Sequence, residues 1–69
     1  MRQMNILCNG RQQELSDNTS LLDLLRELRL PPDTVVAEVN RRIIEPDQYG
    51  ELQLQDGDRV ELIRFVGGG

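Results

Sequence analysis

The sequence has no histidine, no lysine and no tryptophan, a single cysteine, and only two aromatic rings, Tyr49 and Phe65. Each shortage removes chemistry. Without histidine there is no ordinary general base near neutral pH, no Cys–His nucleophile pair, and none of the commonest metal ligand. One cysteine and scattered carboxylates would make a weak, unselective metal site. All eight basic residues are arginine, which excludes a Schiff-base lysine, a P-loop lysine and any lysine acceptor for self-conjugation. Cys8 has no partner for an internal disulfide, which suits a reducing cytoplasm. No apolar run reaches the length that spans a bilayer, and no signal-peptide pattern opens the chain. The expectation is a soluble cytoplasmic domain without an active site of its own.

What is present is a chain of 69 residues whose apolar content is mostly leucine, isoleucine and valine, with a formal net charge of -4. That length makes one domain with a modest core. No basic stripe appears, so a nucleic-acid partner is not expected.

The period of the apolar residues changes along the chain. Met4, Ile6 and Cys8 alternate with Asn5, Leu7 and Asn9, the two-residue period of a strand. Asn9-Gly10 tolerates the positive φ of a tight hairpin turn, and Arg11 to Leu15 returns as a second, more polar strand suited to an edge. Ser16 to Asn18 reads as a loop. "SLLDLLRELRL" then takes a helical period: Ser20 with Asp23 forms a capping box, and Leu21, Leu24, Leu25 and Leu28 share one face. Pro31 and Pro32 are expected to end this helix. Val35, Ala37 and Val39 alternate as a third strand, and Asn40-Arg41 turns into a short strand at Arg42 to Ile44. Pro46 breaks that strand, and one helical turn is expected near Tyr49. Leu52 and Leu54 alternate with glutamines, Asp56-Gly57-Asp58 makes a turn, and Val60 to Val66 is the last strand.

A hairpin, one helix and further strands make an α+β domain with the helix lying across a sheet. In this order, with "NILCNG", "LLDLLRELRL", "VVAEVNRRII" and "LQDGDRVELIRFVGGG", the chain resembles the ThiS/MoaD family of ubiquitin-like sulfur carriers, and within it the ThiS branch of thiamin biosynthesis. The resemblance covers nearly the whole chain. It is most specific at the Asp-Gly-Asp turn and the ending Phe65-Val66-Gly67-Gly68-Gly69. It implies a ubiquitin-like β-grasp fold, a mixed sheet of four to five strands over residues 1–66, followed by a flexible glycine tail at 67–69. Residues Met1 to Gln3 precede the first strand as an extension, native or left by cloning.

The resemblance also implies a chemistry. A carboxylate is a poor electrophile until ATP converts it to an acyl-adenylate; a persulfide sulfur can then displace AMP, and resolution leaves a thiocarboxylate. Gly69 would carry the sulfur, with Gly67 and Gly68 delivering it, because glycine has no Cβ to obstruct close approach of the backbone to a ligand. Three extended residues reach roughly 10 Å into a recessed site. The implied partners are an E1-like adenylating enzyme (ThiF) using ATP and Mg²⁺, a cysteine desulfurase route for sulfur, and thiazole synthase (ThiG) as acceptor, with no bound cofactor in the carrier itself. Three alternatives remain open: the small subunit of molybdopterin synthase, a ubiquitin-like modifier, and a non-covalent β-grasp adaptor. A monomer is expected for the chain alone.

Strict alternation adds a second candidate surface. With Val60 and Leu62 facing the helix, Glu61, Ile63 and Phe65 turn to the opposite, open side, where Leu7 joins them. Ile63 and Phe65 are therefore candidate partner contacts beside the tail, and Val66, next to the glycines in the ending that the resemblance rests on, is taken as a candidate with them. A bulge returning Phe65 to the core is the competing reading. Arg59, Arg64 and the acidic residues read as solvated surface, and Cys8 as a small core residue.

Overall fold

A computed structural model describes residues 3–64. Asn9 and Gly10 both take positive φ, 52° and 80°, the conformation that closes a two-residue hairpin with the right twist. They join β1 (Gln3–Cys8) to β2 (Arg11–Ser16), which pair antiparallel from Gln3↔Ser16 to Cys8↔Arg11, so Gln3 belongs to the first strand and not to an extension ahead of it. β1 reads alternately exposed and buried along its whole length, as its two-residue period predicts.

The helix α1 spans Leu21–Glu27. Its capping box is formed on both sides: Ser20 Oγ accepts from the Asp23 amide at 3.1 Å, and Asp23 Oδ2 accepts from the Ser20 amide at 3.2 Å. Two further first-turn amides find distant carbonyls, Leu21 N–H on Leu52 and Leu22 N–H on Tyr49, both at 2.9 Å. These satisfy donors that the helix itself leaves without partners. The helix stops before the prolines act. Arg29 takes φ 59°, its amide donates to Arg26 at 3.0 Å, and Leu30 N–H donates to Leu25 at 2.9 Å. This is a Schellman stop with arginine where glycine is usual. Pro31 lies beyond it, and Pro32 opens a separate 3-10 turn at Pro32–Thr34.

Three strands complete the sheet: β3 (Val35–Val39), β4 (Arg42–Ile44) and β5 (Arg59–Arg64). The strand order is β2-β1-β5-β3-β4. β1 and β5 are parallel, and the other neighbouring pairs are antiparallel. The result is the expected α+β arrangement, a mixed five-stranded sheet with one helix across it. β2 lies at one edge, as its polarity predicts, and the short β4 lies at the other. Leu21, Leu24 and Leu25 are fully buried against Met4, Ile6, Cys8, Leu15, Val35, Ala37, Val39, Val60 and Leu62, so the leucine stripe is core.

The segment between β4 and β5 differs from its sequence pattern. Leu52 and Leu54 form no strand; Gln53 makes an isolated bridge to Ser20, and Leu54 N–H donates to the Thr19 carbonyl at 3.0 Å. A 3-10 turn at Pro46–Gln48 precedes Tyr49. Tyr49 is 1% exposed and closes the core, its hydroxyl donating to the Val35 carbonyl at 2.9 Å. The last strand was expected over Val60 to Val66; within the described residues it covers Arg59–Arg64. Phe65, Val66 and the boundary expected between residues 66 and 67 lie outside the described residues. Among the described residues no helix is long and apolar enough to cross a membrane.

Candidate functional site

The register of β5 decides which side chains stand at the base of the glycine tail. Val60 and Leu62 are buried beneath α1, while Glu61 and Ile63 are exposed. Cross-strand pairing places Ile63 opposite Val36, Glu61 opposite Glu38, and Arg59 beside Leu7. β4 adds Ile43 opposite Glu38. The side of the sheet away from the helix therefore carries Leu7, Val36, Ile43 and Ile63, with Glu38 and Glu61 among them. Ile43 is 65% and Ile63 56% exposed. Scattered exposed apolar residues are ordinary, but three on one uncovered face, with half-buried Val36 between the strands that carry Ile43 and Ile63, form a patch of the kind that meets another surface.

Ile63 stands where alternation puts it. Of the other candidate residues, Phe65, Val66, Gly67, Gly68 and Gly69 lie outside the described residues, as does the competing bulge at Phe65. Ile43 was not singled out from the sequence. Its signal was the same parity argument, applied to a strand of three residues flanked by arginine and isoleucine.

The Asp-Gly-Asp turn holds the start of β5. Asp56 Oδ1 accepts from the Asn5 amide at 2.7 Å, and Gly57 N–H donates to the Asn5 carbonyl at 2.7 Å. Asp58 uses both oxygens, Oδ1 accepting from Asn40 Nδ2 at 3.0 Å and Oδ2 from the Gln55 amide at 2.8 Å. Gly57 takes φ +89°, which an L side chain adopts only under strain. Two aspartates at this spacing are thus fasteners of backbone, joining β1, the β3–β4 turn and β5. Asn40 completes the knot, with Oδ1 accepting from the Arg59 amide at 3.0 Å. At the opposite end of β5, Asn9 Oδ1 accepts from the Leu62 amide at 2.8 Å.

Other chemistry is sparse. Cys8 is buried in the core, and burial pushes its thiol up, which lowers the thiolate fraction and with it nucleophilicity. Among the described residues no three His, Cys, Asp or Glu side chains gather as a metal site. A polar cleft of about 600 Å³ lies between Gln3–Asn5, Asp17–Asn18 and Gln53–Asp56. Because β1 and β5 run parallel with Leu7 beside Arg59, this cleft sits at the far end of the sheet from Ile63. What the described geometry offers is a packed sheet and helix, an open face of mixed apolar and acidic side chains, and a strand described as far as Arg64.

Comparison with known proteins agrees with this architecture. Residues 3–69 match the model of the ThiS family. The chain is 37% identical over 62 residues to the sulfur carrier protein ThiS of Bacillus subtilis, covering 88% of this chain and 94% of that one. It is 35% identical over 66 residues to a thiazole synthase of Magnetococcus marinus, covering 96% of this chain. The chain spans only 20% of the length of that synthase and of a second from Paramagnetospirillum magneticum. The crystal structure of a thiamine biosynthesis protein (ThiS) from Geobacter metallireducens superimposes with a TM-score of 0.81 at 29% identity, covering 96% of this chain and 100% of that one. The fold is thus the ubiquitin-like β-grasp expected from the resemblance.

Proposed function

The chain belongs to the ThiS family, and from that premise we propose that it is the sulfur carrier of thiazole formation in thiamin biosynthesis, a co-substrate of other enzymes and not itself an enzyme. The observation that carries this reading is the continuity of β5, whose inner face is locked in the core, with the Phe65-Val66-Gly67-Gly68-Gly69 run that the family match includes. A rigid strand holds the base, and residues without Cβ atoms can enter a narrow cleft.

In this reading an E1-like adenylating enzyme of the ThiF type binds ATP and Mg²⁺. A carboxylate oxygen of Gly69 attacks the α-phosphate, pyrophosphate leaves, and an acyl-adenylate forms. A persulfide, charged by a cysteine desulfurase, attacks the carbonyl carbon through its terminal sulfur, and AMP leaves. A thiol then cleaves the acyl disulfide, forming a new disulfide and releasing the thiocarboxylate on Gly69. That sulfur is the nucleophile supplied to a thiazole synthase of the ThiG type. The matches to thiazole synthases support the acceptor. Gly67 and Gly68 bring the carboxylate in, while Ile63, with Phe65 and Val66, contacts the partner. The single cysteine fits a reducing cytoplasmic setting, where thiocarboxylates and persulfides persist.

Intact-mass measurement after incubation with the adenylating enzyme, ATP and a sulfur source tests this. Exchange of one oxygen for sulfur is the expected result. Conjugates to other proteins would make the chain a modifier, and an unchanged mass under active conditions would overturn the reading.

A further inference from the structure

Asn9 is tied to β5 at two points. Its amide donates to the Val60 carbonyl at 2.9 Å, and its side-chain oxygen accepts from the Leu62 amide at 2.8 Å. The same residue opens the β1–β2 turn and is followed by Gly10. An asparagine side chain is most open to attack by the next backbone nitrogen when that residue is glycine, which has no Cβ to crowd the nitrogen. The remaining asparagines precede Ile6, Thr19 and Arg41. Asn9 and Gly10 are exposed, and a Cβ at Gly10 would meet nothing within 4 Å, so water reaches the turn freely. The fold nevertheless blocks the attack. Ring closure needs the Asn9 Cβ and the Gly10 nitrogen to eclipse about the Cα–C bond. Positive φ at both residues, 52° and 80°, makes a type I′ turn. In that turn ψ of the first central residue is about 30°, and the two groups stand nearly opposite each other. The Leu62 bond adds a second restraint by holding the side chain toward β5.

We propose that Asn9 is a modification site, converting slowly to isoaspartate when its side chain is released from Leu62, and that the conversion loosens β5. The Gly10 nitrogen attacks the Asn9 Cγ; its proton leaves with the side-chain amide as ammonia, and a succinimide closes. Water then opens the ring at either carbonyl. Cleavage of the Cγ–N bond gives aspartate on an ordinary backbone. Cleavage on the other side of the nitrogen gives isoaspartate, whose main chain runs through Cβ and Cγ while the former backbone carbonyl becomes a free carboxylate. Aspartate keeps an oxygen where Leu62 N–H needs one. Isoaspartate draws the Cγ oxygen into the main chain and adds an atom to a two-residue turn, so the turn and both bonds to β5 cannot be kept together. Local opening of such a turn falls well short of global unfolding, and it sets the pace of the reaction. β5 carries Ile63 and precedes residues 65–69 in the sequence, so the conversion ages the base of the tail. The inference does not depend on what the tail carries.

The test ages the full chain in warm, mildly alkaline buffer, with and without denaturing urea. Isoaspartate is counted by methyl transfer from S-adenosylmethionine with a protein-isoaspartate methyltransferase and located by peptide mapping. Asn9 should convert in urea ahead of Asn5, Asn18 and Asn40, and roughly tenfold or more slowly in the folded chain. Asn9→Asp reproduces the aspartate product and should melt within about 3 °C of the parent. The isoaspartate form, isolated by chromatography, should melt roughly 5 °C or more below it. Equal rates with and without urea would overturn the control by folding. An Asn9 that yields no isoaspartate in urea overturns the site, and an isoaspartate form that melts with the parent overturns the loosening of β5.

Discussion

The side-chain carbonyl of Asn9 accepts the amide of Leu62 at 2.8 Å, across 53 residues of sequence. β1 turns away at Asn9–Gly10, so its backbone ladder with β5 ends at Cys8↔Val60. The Asn9 amide still reaches the Val60 carbonyl at 2.9 Å, and its side chain then adds the rung that the backbone cannot. The position requires both φ 52° and an acceptor, and asparagine supplies both. Asn9→Gly keeps the conformation and loses the acceptor; it should cost about 1 kcal/mol in urea unfolding. Asn9→Ala loses both and should cost about 2 kcal/mol. A glycine variant as stable as the parent would show that the Leu62 bond contributes nothing.

Tyr49 and Val35 form a second long link. Tyr49→Phe keeps the buried ring but leaves the Val35 carbonyl without its donor, and should destabilise by about 1–2 kcal/mol. Burial raises the Tyr49 hydroxyl, the nearby Ala37 backbone partly opposes this, and the charge of Glu45 adds to the rise. A raised folded value means the folded chain holds the proton more tightly than the unfolded chain. Stability is therefore complete below about pH 10 and falls as pH climbs through the folded value. Cys8 acts in the same direction from its own, lower starting point. Melting temperatures followed from about pH 8 to 11 should fall less steeply for Tyr49→Phe. An identical alkaline slope would assign the effect to other groups.

Strand parity made much of this architecture readable in advance. Ile6 against Leu7 and Leu62 against Ile63 sort correctly because each strand has one buried face, and a one-residue slip would reverse it. The capping box at Ser20 and Asp23 is a local signal and was equally legible. Tyr49 was not: a lone ring in a polar segment shows its role only when the β4–β5 loop folds over Val35, 14 residues away. Asn9, Asn40 and the Asp-Gly-Asp turn read as turn residues, and they are, but their acceptors serve strands distant in sequence. The end of α1 was misattributed to prolines because a Schellman stop at arginine leaves no glycine to mark it.

Two arginines stand where glycine would be easier. Arg29 takes φ 59° at the helix stop, and Arg41 takes φ 71° in the β3–β4 turn after Asn40 at 52°. Both are exposed, so their side chains contribute little packing. Arg29→Gly and Arg41→Gly should each stabilise by about 0.5–1 kcal/mol, relief of the left-handed conformation outweighing the added freedom of the unfolded chain. Guanidinium unfolding midpoints measure this. A lower midpoint in either variant would mean that its arginine makes a compensating contact.

The open face separates stability from function at Ile63. With 56% of its surface exposed, Ile63→Asn removes little burial, and the melting temperature should stay within about 2 °C. In the carrier reading the same substitution breaks the apolar contact beside the tail and should weaken binding of the adenylating enzyme by about tenfold. Val36→Asn, one rung across, should weaken it in the same direction. Calorimetric titration with the enzyme reads both. Unaltered affinity in both variants would remove this face from the interface.

The tail itself is tested by shortening it. Every helix and strand described lies within residues 3–64, so deletion of Gly69 leaves the sequence of each intact, and the melting temperature should not change. The carboxylate moves to Gly68 and retreats by about 3.5 Å. Attack on an α-phosphate needs the oxygen within about 3–3.5 Å of phosphorus and aligned with the leaving group. In the carrier reading a retreat of that size takes the nucleophile out of reach, because contact between the folded body and the enzyme limits how far the body can follow. Sulfur loading seen by intact mass should therefore fall below detection, while binding to the adenylating enzyme weakens only modestly. A truncated chain that still exchanges oxygen for sulfur would show that reach along the tail does not position the carboxylate, and that the glycines serve some other purpose.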